Sequence, residues 1–236
     1  MTMSYESYSQ ASAVYDQTRI PIGIPILLGY FATANPVLSE LVVLDAGCGT
    51  ASYAIELARR VKRVEGIDAS PEMIAQGRKK AHAAGIPGEK LSLSVGDIQH
   101  LPFDYQHFDC ITVNQVLHHV DDDEAVGYPS HAKIAAEFSR VTRPGGLVIV
   151  HLCSQEQVIN GFWFRELFPD AFERLRQRII SIPNLLRLLE SAGLAHVGSV
   201  VPLDAVFQGD AYFDALGPLD ETWRRGDSVF ALATDT

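Results

Sequence analysis

The chain has 236 residues, a net charge of −10 and an apolar share of 47%, enough for one α/β core and too apolar for a disordered chain. The negative balance repels phosphate backbones and anionic lipid, so nucleic acid and membrane headgroups are poor partners. Three cysteines, Cys48, Cys110 and Cys153, without pairable spacing point to a reducing compartment. With no basic-then-apolar leader and no run long enough to span a bilayer, cytoplasm is the expected location.

Tyr5 to Arg19 is polar with interleaved tyrosines and predicts a short helix, and Ile26 to Thr33 a second one, ended before Pro36. Leu41 to Leu44 reads as a buried parallel strand, followed by a glycine turn and a helix over Ser52 to Arg60. Val64 to Ile67 is a second strand, and Pro71 opens a helix to about Ala84. Leu91 to Val95 and Asp109 to Val113 are the third and fourth strands. Asp121 to Asp123 offer capping carboxylates ahead of a helix from about Ser130 to Val141. Pro144 to Gly146 turns into a fifth strand, Leu147 to Leu152.

Beyond Ser154 the alternation loosens. Phe162 to Ile180 reads as helical with a break near Pro169, Leu185 to Ala192 as an amphipathic helix, and His196 to Leu203 as a sixth strand. Ser228 to Ala233 reads either as a seventh strand or as a helix start. The expected fold is α/β: a Rossmann-like, doubly wound, mostly parallel sheet with helices on both faces. It is expected as a single unit, with an N-terminal helical lid (1–37), a cofactor-binding core (38–153) and a C-terminal part of cap helices and strands (154–236).

The strongest local signal is VLDAGCGTAS, Val43 to Ser52. Gly47 and Gly49 stand where a strand gives way to a helix and let backbone approach a ligand. A dinucleotide-binding turn carries a third glycine where this chain has Ser52. Asp45 also opposes a pyrophosphate and favours a cationic ligand such as a sulfonium with an ammonium group. The plain alternative is that Asp45 caps the turn. Asp68, about 20 residues on and just past the second strand, is placed to accept from two ribose hydroxyls. Met73 could pack on an adenine face or be plain core. Asp97 could accept from an adenine amino group with Ile98 flanking the ring, or belong to an ordinary Gly-Asp turn.

Taken in order, VLDAGCGTAS, GIDASPEMI (Gly66 to Ile74), VGDIQHLPF (Val95 to Phe103), FDCITVNQVLHHV (Phe108 to Val120) and RPGGLVIV (Arg143 to Val150) resemble the class I S-adenosylmethionine-dependent methyltransferases. The likeness is strongest to the small-molecule, ubiquinone-biosynthesis-like group and covers Val42 to Leu152. It implies methyl transfer from S-adenosylmethionine to a small-molecule acceptor. Asp45 with the Gly47 and Gly49 backbone would hold the methionine end, Asp68 with neighbouring Ala69 the ribose, and Asp97 and Ile98 the adenine. Asn114 would lie near the transferred methyl. Tyr15, Asp16 and Arg19 resemble the segment that folds over the cofactor in related enzymes. Where the family often has a third glycine this chain has Ala51, a small intrusion that cofactor binding should survive.

His118, His119 and His151, at strand ends, are candidate bases for a hydroxyl acceptor; the alternative is that they serve the local turn. No zinc spacing is recognisable, and the acidic run after His119 suits a helix start without a metal. Tyr5, Tyr8, Tyr15, Phe162, Trp163, Phe164 and Phe168 are candidate walls of the acceptor pocket or a core for the cap. Competing readings are a non-catalytic S-adenosylmethionine-binding protein and a nicotinamide-dependent oxidoreductase, and a second copy of the chain is the one protein partner left open.

Overall fold

The computed structural model describes residues 16, 19–202, 206, 209–225 and 227–233. Five strands form one sheet: β1 (Val42–Ala46), β2 (Arg63–Asp68), β3 (Leu91–Val95), β4 (Phe108–Asn114) and β5 (Thr142–His151). Their order is β3-β2-β1-β4-β5 and every pairing is parallel. The expected "mostly parallel" sheet is therefore parallel throughout the described residues. β4 is buried along its whole length, as its unbroken apolar run demands of a strand covered on both faces.

Helices cover the two faces. α1 (Ile24–Phe31), α2 (Ser52–Ala58) and α3 (Pro71–Ala83) place Phe31, Ile55, Leu57 and Ile74 against Val43, Val64 and Leu93. On the other face, α4 (Pro129–Val141) and α7 (Ile182–Ser191) bring Ile134, Phe138, Leu185 and Leu188 onto Leu44, Ile111 and Val113. A smaller cap is built from α5 (Gln155–Asn160), α6 (Pro169–Arg178) and α8 (Glu221–Arg225), around Phe164, Phe172, Trp223 and Val229. Helix α5 starts with a capping box between Ser154 and Gln157, a signal legible in the sequence as Ser-x-x-Gln.

The expected Pro144–Gly146 turn lies inside β5 as a bulge, where the register slips between Phe108↔Thr142 and Cys110↔Leu147. The buried carboxylate of Asp109 locks it. Asp109 Oδ1 takes Arg143 Nη1 at 2.5 Å and Oδ2 takes the Val42 N–H at 2.7 Å. A side chain at Gly146 would run into the Asp109 carbonyl.

At the C-terminal side one expectation is corrected, and of the two readings left open for Ser228 to Ala233 the structure takes the helical one. His196–Val201 and Pro202 form no strand, and Leu203 lies outside the described residues. A strand exists by its ladder, and this segment joins none among the described residues: Val197 is 78% exposed, and the His196 ring turns locally onto Ser199 Oγ at 2.9 Å. Ser228–Leu232 is a 3-10 turn, not a strand, because Asp227 accepts from the Val229 N–H and starts a helical turn. Among the described residues the region therefore contributes cap helices and turns and no strand. The helix read over Tyr5 to Arg19 lies almost wholly outside the described residues.

Candidate functional site

In a sheet of this order the direction in which successive strands are added reverses between β1 and β4, and their carboxyl ends open a crevice. Asp45 of β1 and Asn114 of β4 meet there: Asn114 Nδ2 donates to Asp45 Oδ1 at 3.2 Å. Asp45 is 1% exposed, and its Oδ2 is buried without a hydrogen-bond partner among the described residues. Burial pushes the Asp45 carboxyl up to about 7; the Asn114 amide opposes this, the Asp68 charge adds to it, and the Ala54 N–H opposes it weakly. A buried carboxylate oxygen with no donor is costly unless a cation meets it.

The glycine turn follows at once. Gly47 has φ +76°, and a side chain there would collide with Val116. Gly49 has φ +52° and donates its N–H to Asp68 Oδ2 at 2.8 Å. Asp68 Oδ1 accepts from the Ser70 N–H at 2.9 Å. Each oxygen thus uses one backbone donor, and a carboxylate oxygen retains a second lone-pair site for a hydroxyl. Ala51 also sits in the left-handed region, at φ +64°. That is why a glycine is at home there, and the methyl is accommodated beside Gly77 of α3, where any Cβ would lie 3.2 Å from it.

A cleft with a cavity volume of about 110 Å³ opens here. Asp45, Gly47, Gly49, Asn114, Arg19, His118 and His119 line it, as do Thr50, Ser52, Gln115, Cys153 and Asp227. Its apolar wall is Val158, Phe162, Leu175 and Ile179. Asp68, Ala69, Met73, Asp97 and Ile98 lie outside this lining: Asp68 and Ala69 at the end of β2, Met73 in the first turn of α3, and Asp97 and Ile98 just after β3. Met73 and Ile98 are buried, and Ala69 is exposed. Asp97 Oδ1 accepts from the Gln99 N–H at 2.9 Å, a turn closed by its own carboxylate.

Two flanking segments reach the cleft. Asp16 accepts from Thr50 Oγ1 at 2.7 Å and pairs with Lys80 at 2.7 Å, fastening the N-terminal segment to the glycine turn. Arg19 pairs with Asp227 at 3.2 Å, both largely shielded, so N- and C-terminal segments meet at the cleft. Tyr15, like Tyr5 and Tyr8, lies outside the described residues.

His118 and His119 form a 3-10 turn after β4, their ring centres 4.0 Å apart. Burial pushes His118 down to about 4, with the Arg19 charge lowering it further and Asp227 opposing. His119 is driven well below its ordinary value by burial and by its neighbour His118. Both rings are neutral at pH 7. His151 ends β5 outside the cleft lining, edge-on to Tyr53 at 6.3 Å, and burial lowers it too.

Of the aromatic residues expected as pocket walls, Phe162 alone lines the cleft among those described. Phe164 is fully buried and packs on Phe172, Trp223 and the partly buried Phe230, and Phe168 packs on Phe230. Trp163 donates Nε1–H to the Tyr212 carbonyl at 2.7 Å on the outer side of the cap. These three are cap core and cap surface, because the cap needs its own apolar centre. Gln115, Thr50, Cys153 and Asp227 escaped the sequence reading. Gln115 stands within the quoted fourth-strand motif, but nothing in its residue type signals the cleft.

Comparison with known proteins agrees with this geometry. Residues 44–150 match the family model described as a methyltransferase domain. A demethylmenaquinone methyltransferase of Bacillus cytotoxicus is 31% identical over 176 residues, covering 65% of this chain and 70% of that protein. One of Lysinibacillus sphaericus is 28% identical over 220 residues, covering 82% of this chain and 88% of that protein. A solved SAM-dependent methyltransferase from Aquifex aeolicus shares the fold at TM-score 0.59 and 20% identity, covering 83% of this chain and 92% of that one. A parallel sheet of this strand order and these likenesses lead to one conclusion: the chain belongs to the class I S-adenosylmethionine-dependent methyltransferases and moves a methyl group from that cofactor to a small-molecule acceptor.

Proposed function

We propose that the acceptor is an apolar, oxygen-bearing ring compound, methylated at an atom that needs no strong base, and that the cleft divides into a cofactor half and an acceptor half. The observation that carries the first half is Asp45 Oδ2, buried and unpartnered at the reversal of the sheet. An ammonium group would supply the missing donors and draw the carboxyl down from about 7. Gly47 and Gly49 leave room for the methionine end, Asn114 fixes the Asp45 carboxylate, and Asp68 keeps lone pairs for ribose hydroxyls. Asp97 and Ile98, with Ala69 and Met73 nearby, are assigned to the nucleoside end. Arg19, with Tyr15, is assigned to closure over the cofactor.

Bound S-adenosylmethionine supplies an electrophilic methyl group on a sulfonium. The residues around it have to position the acceptor and exclude water, which in favourable cases supplies roughly 7 kcal/mol or more. Val158, Phe162, Leu175 and Ile179 give the acceptor half an apolar wall. The relatives named for demethylmenaquinone act on a ring compound of this broad kind, which supports the same class here. His118 has a conjugate acid near 4, about six units below an ordinary phenol. It is a weak base for a hydroxyl and suits an acceptor that is already electron-rich, such as a carbon flanked by oxygens. The net charge of −10 favours neither nucleic acid nor anionic membrane as partner. No helix among the described residues is long and apolar enough to cross a membrane, and cytoplasm is the location we favour.

Titration calorimetry with S-adenosylhomocysteine tests the cofactor half. Wild type should bind; Asp45→Asn and Asp68→Ala should each bind at least tenfold more weakly, and NADH should not compete. Equal affinity in both variants would remove the assignment. His118→Gln and His151→Gln should each keep turnover within about threefold; a loss of a hundredfold or more would restore a general base.

A further inference from the structure

Gln115 follows the last residue of β4 and lines the cleft beside Asn114. Its φ is +56°, a left-handed conformation that any side chain bearing a Cβ adopts at a cost and that recurs at binding and catalytic sites. The backbone is pinned there, since the Gln115 N–H donates to the His151 carbonyl at 2.8 Å. Its carboxamide nitrogen Nε2 is buried and has no hydrogen-bond partner among the described residues. Asp45 and Gln115 thus give the cleft, among the described residues, unsatisfied polar atoms of opposite kind: an acceptor on Asp45 and a donor on Gln115. Several of the other polar side chains that line the cleft are neutral or already paired. His118 and His119 are uncharged, burial holds the Cys153 thiol up at about 11, and Arg19 pairs with Asp227.

The geometry points to the Gln115 carboxamide as the group that orients the methyl acceptor, by donating a hydrogen bond to a carbonyl or hydroxyl oxygen carried on its ring. The strained backbone fixes where the amide begins, and the apolar wall of Val158, Phe162, Leu175 and Ile179 takes the rest of the ring. A neutral donor suits an uncharged oxygen, whereas a carboxylate-bearing acceptor would call for an unpaired cation. The inference rests on the apolar, oxygenated acceptor class proposed above and adds the residue that recognises the oxygen.

The test uses the full chain saturated with S-adenosylhomocysteine and two unreactive probes of one shape, 1-tetralone with a ring carbonyl and tetralin without it, titrated by ligand-observed NMR. Wild type should bind both and prefer the ketone about fivefold to tenfold, the worth of one neutral hydrogen bond. Gln115→Ala and Gln115→Asn should bind both probes alike at the tetralin level, with S-adenosylhomocysteine affinity within twofold of wild type. Gln115→Gly, which frees the φ +56° backbone, should lose the same preference while melting no lower than wild type, so that loss of binding is not loss of fold. A wild type that binds both probes equally, or variants that keep the ketone preference, overturn the role of Gln115 and leave the apolar acceptor class standing. Binding of neither probe overturns both. A tenfold fall in S-adenosylhomocysteine affinity in Gln115→Asn assigns the amide to the cofactor and overturns the inference.

Discussion

Asp45 serves two opposed demands. Its carboxyl is lifted from 3.8 to about 7, burial being the largest cause. A group whose folded pKa is raised binds protons more readily folded than unfolded, so its contribution is most favourable below the unfolded value. It is lost as pH climbs from about 4 through about 7. Asp45→Asn should therefore melt higher than wild type at pH 8 without cofactor, and the gain should shrink toward pH 4. The same variant should bind S-adenosylhomocysteine more weakly at pH 8. Wild-type affinity should itself decline as pH falls below about 7, because the carboxyl must ionise to meet an ammonium. Scanning fluorimetry and calorimetry across pH read the two effects separately. Asp45 stood out in the sequence because charge sign alone opposes a phosphate there; Gln115 did not, because its meaning lies in a backbone angle and an unmet amide.

At the scale of the element, the turn from β1 to α2 is the demanding piece. Gly47→Ala would put a methyl into Val116 in a backbone region disfavoured for any side chain. The expected cost is about 2 kcal/mol or more by urea denaturation, with cofactor binding lost alongside. β5 depends on a different device. Asp109→Ala leaves Arg143 and the Val42 N–H without their shared carboxylate, and should cost about 3 kcal/mol while the glycine turn keeps its form. The five strands and the helices between them were legible because apolar runs, prolines at helix starts and glycines at turns each carry a local meaning. The stretch from His196 failed as a strand because β-structure is decided by a partner, and a run of valines does not supply one.

Across the whole molecule, the cleft lies between elements far apart in the chain: Arg19 from the beginning, Asp45 and Asn114 from the core, Leu175 from the cap and Asp227 from near the end. The Arg19–Asp227 pair joins the two flanking segments at 3.2 Å. Asp227→Asn should weaken that closure: S-adenosylhomocysteine should dissociate about fivefold to tenfold faster in stopped flow. The midpoint of global unfolding should move little, since the sheet and its two apolar faces do not rely on this contact. Unchanged dissociation would mean that the pair ties down the cap without gating the cleft.

The sequence alone determined the succession of strands and helices, the glycine turn and the carboxylates at the ends of β1, β2 and β3, because these follow from local chemistry and periodicity. The tertiary structure decided which of those carboxylates shares a cleft with the histidines, that Phe164 and Phe168 build the cap and not the pocket, and that Gln115 presents an unmet donor. Such facts depend on residues distant in the chain meeting in space, and on whether each buried polar atom finds a partner there; neither is written in any single segment.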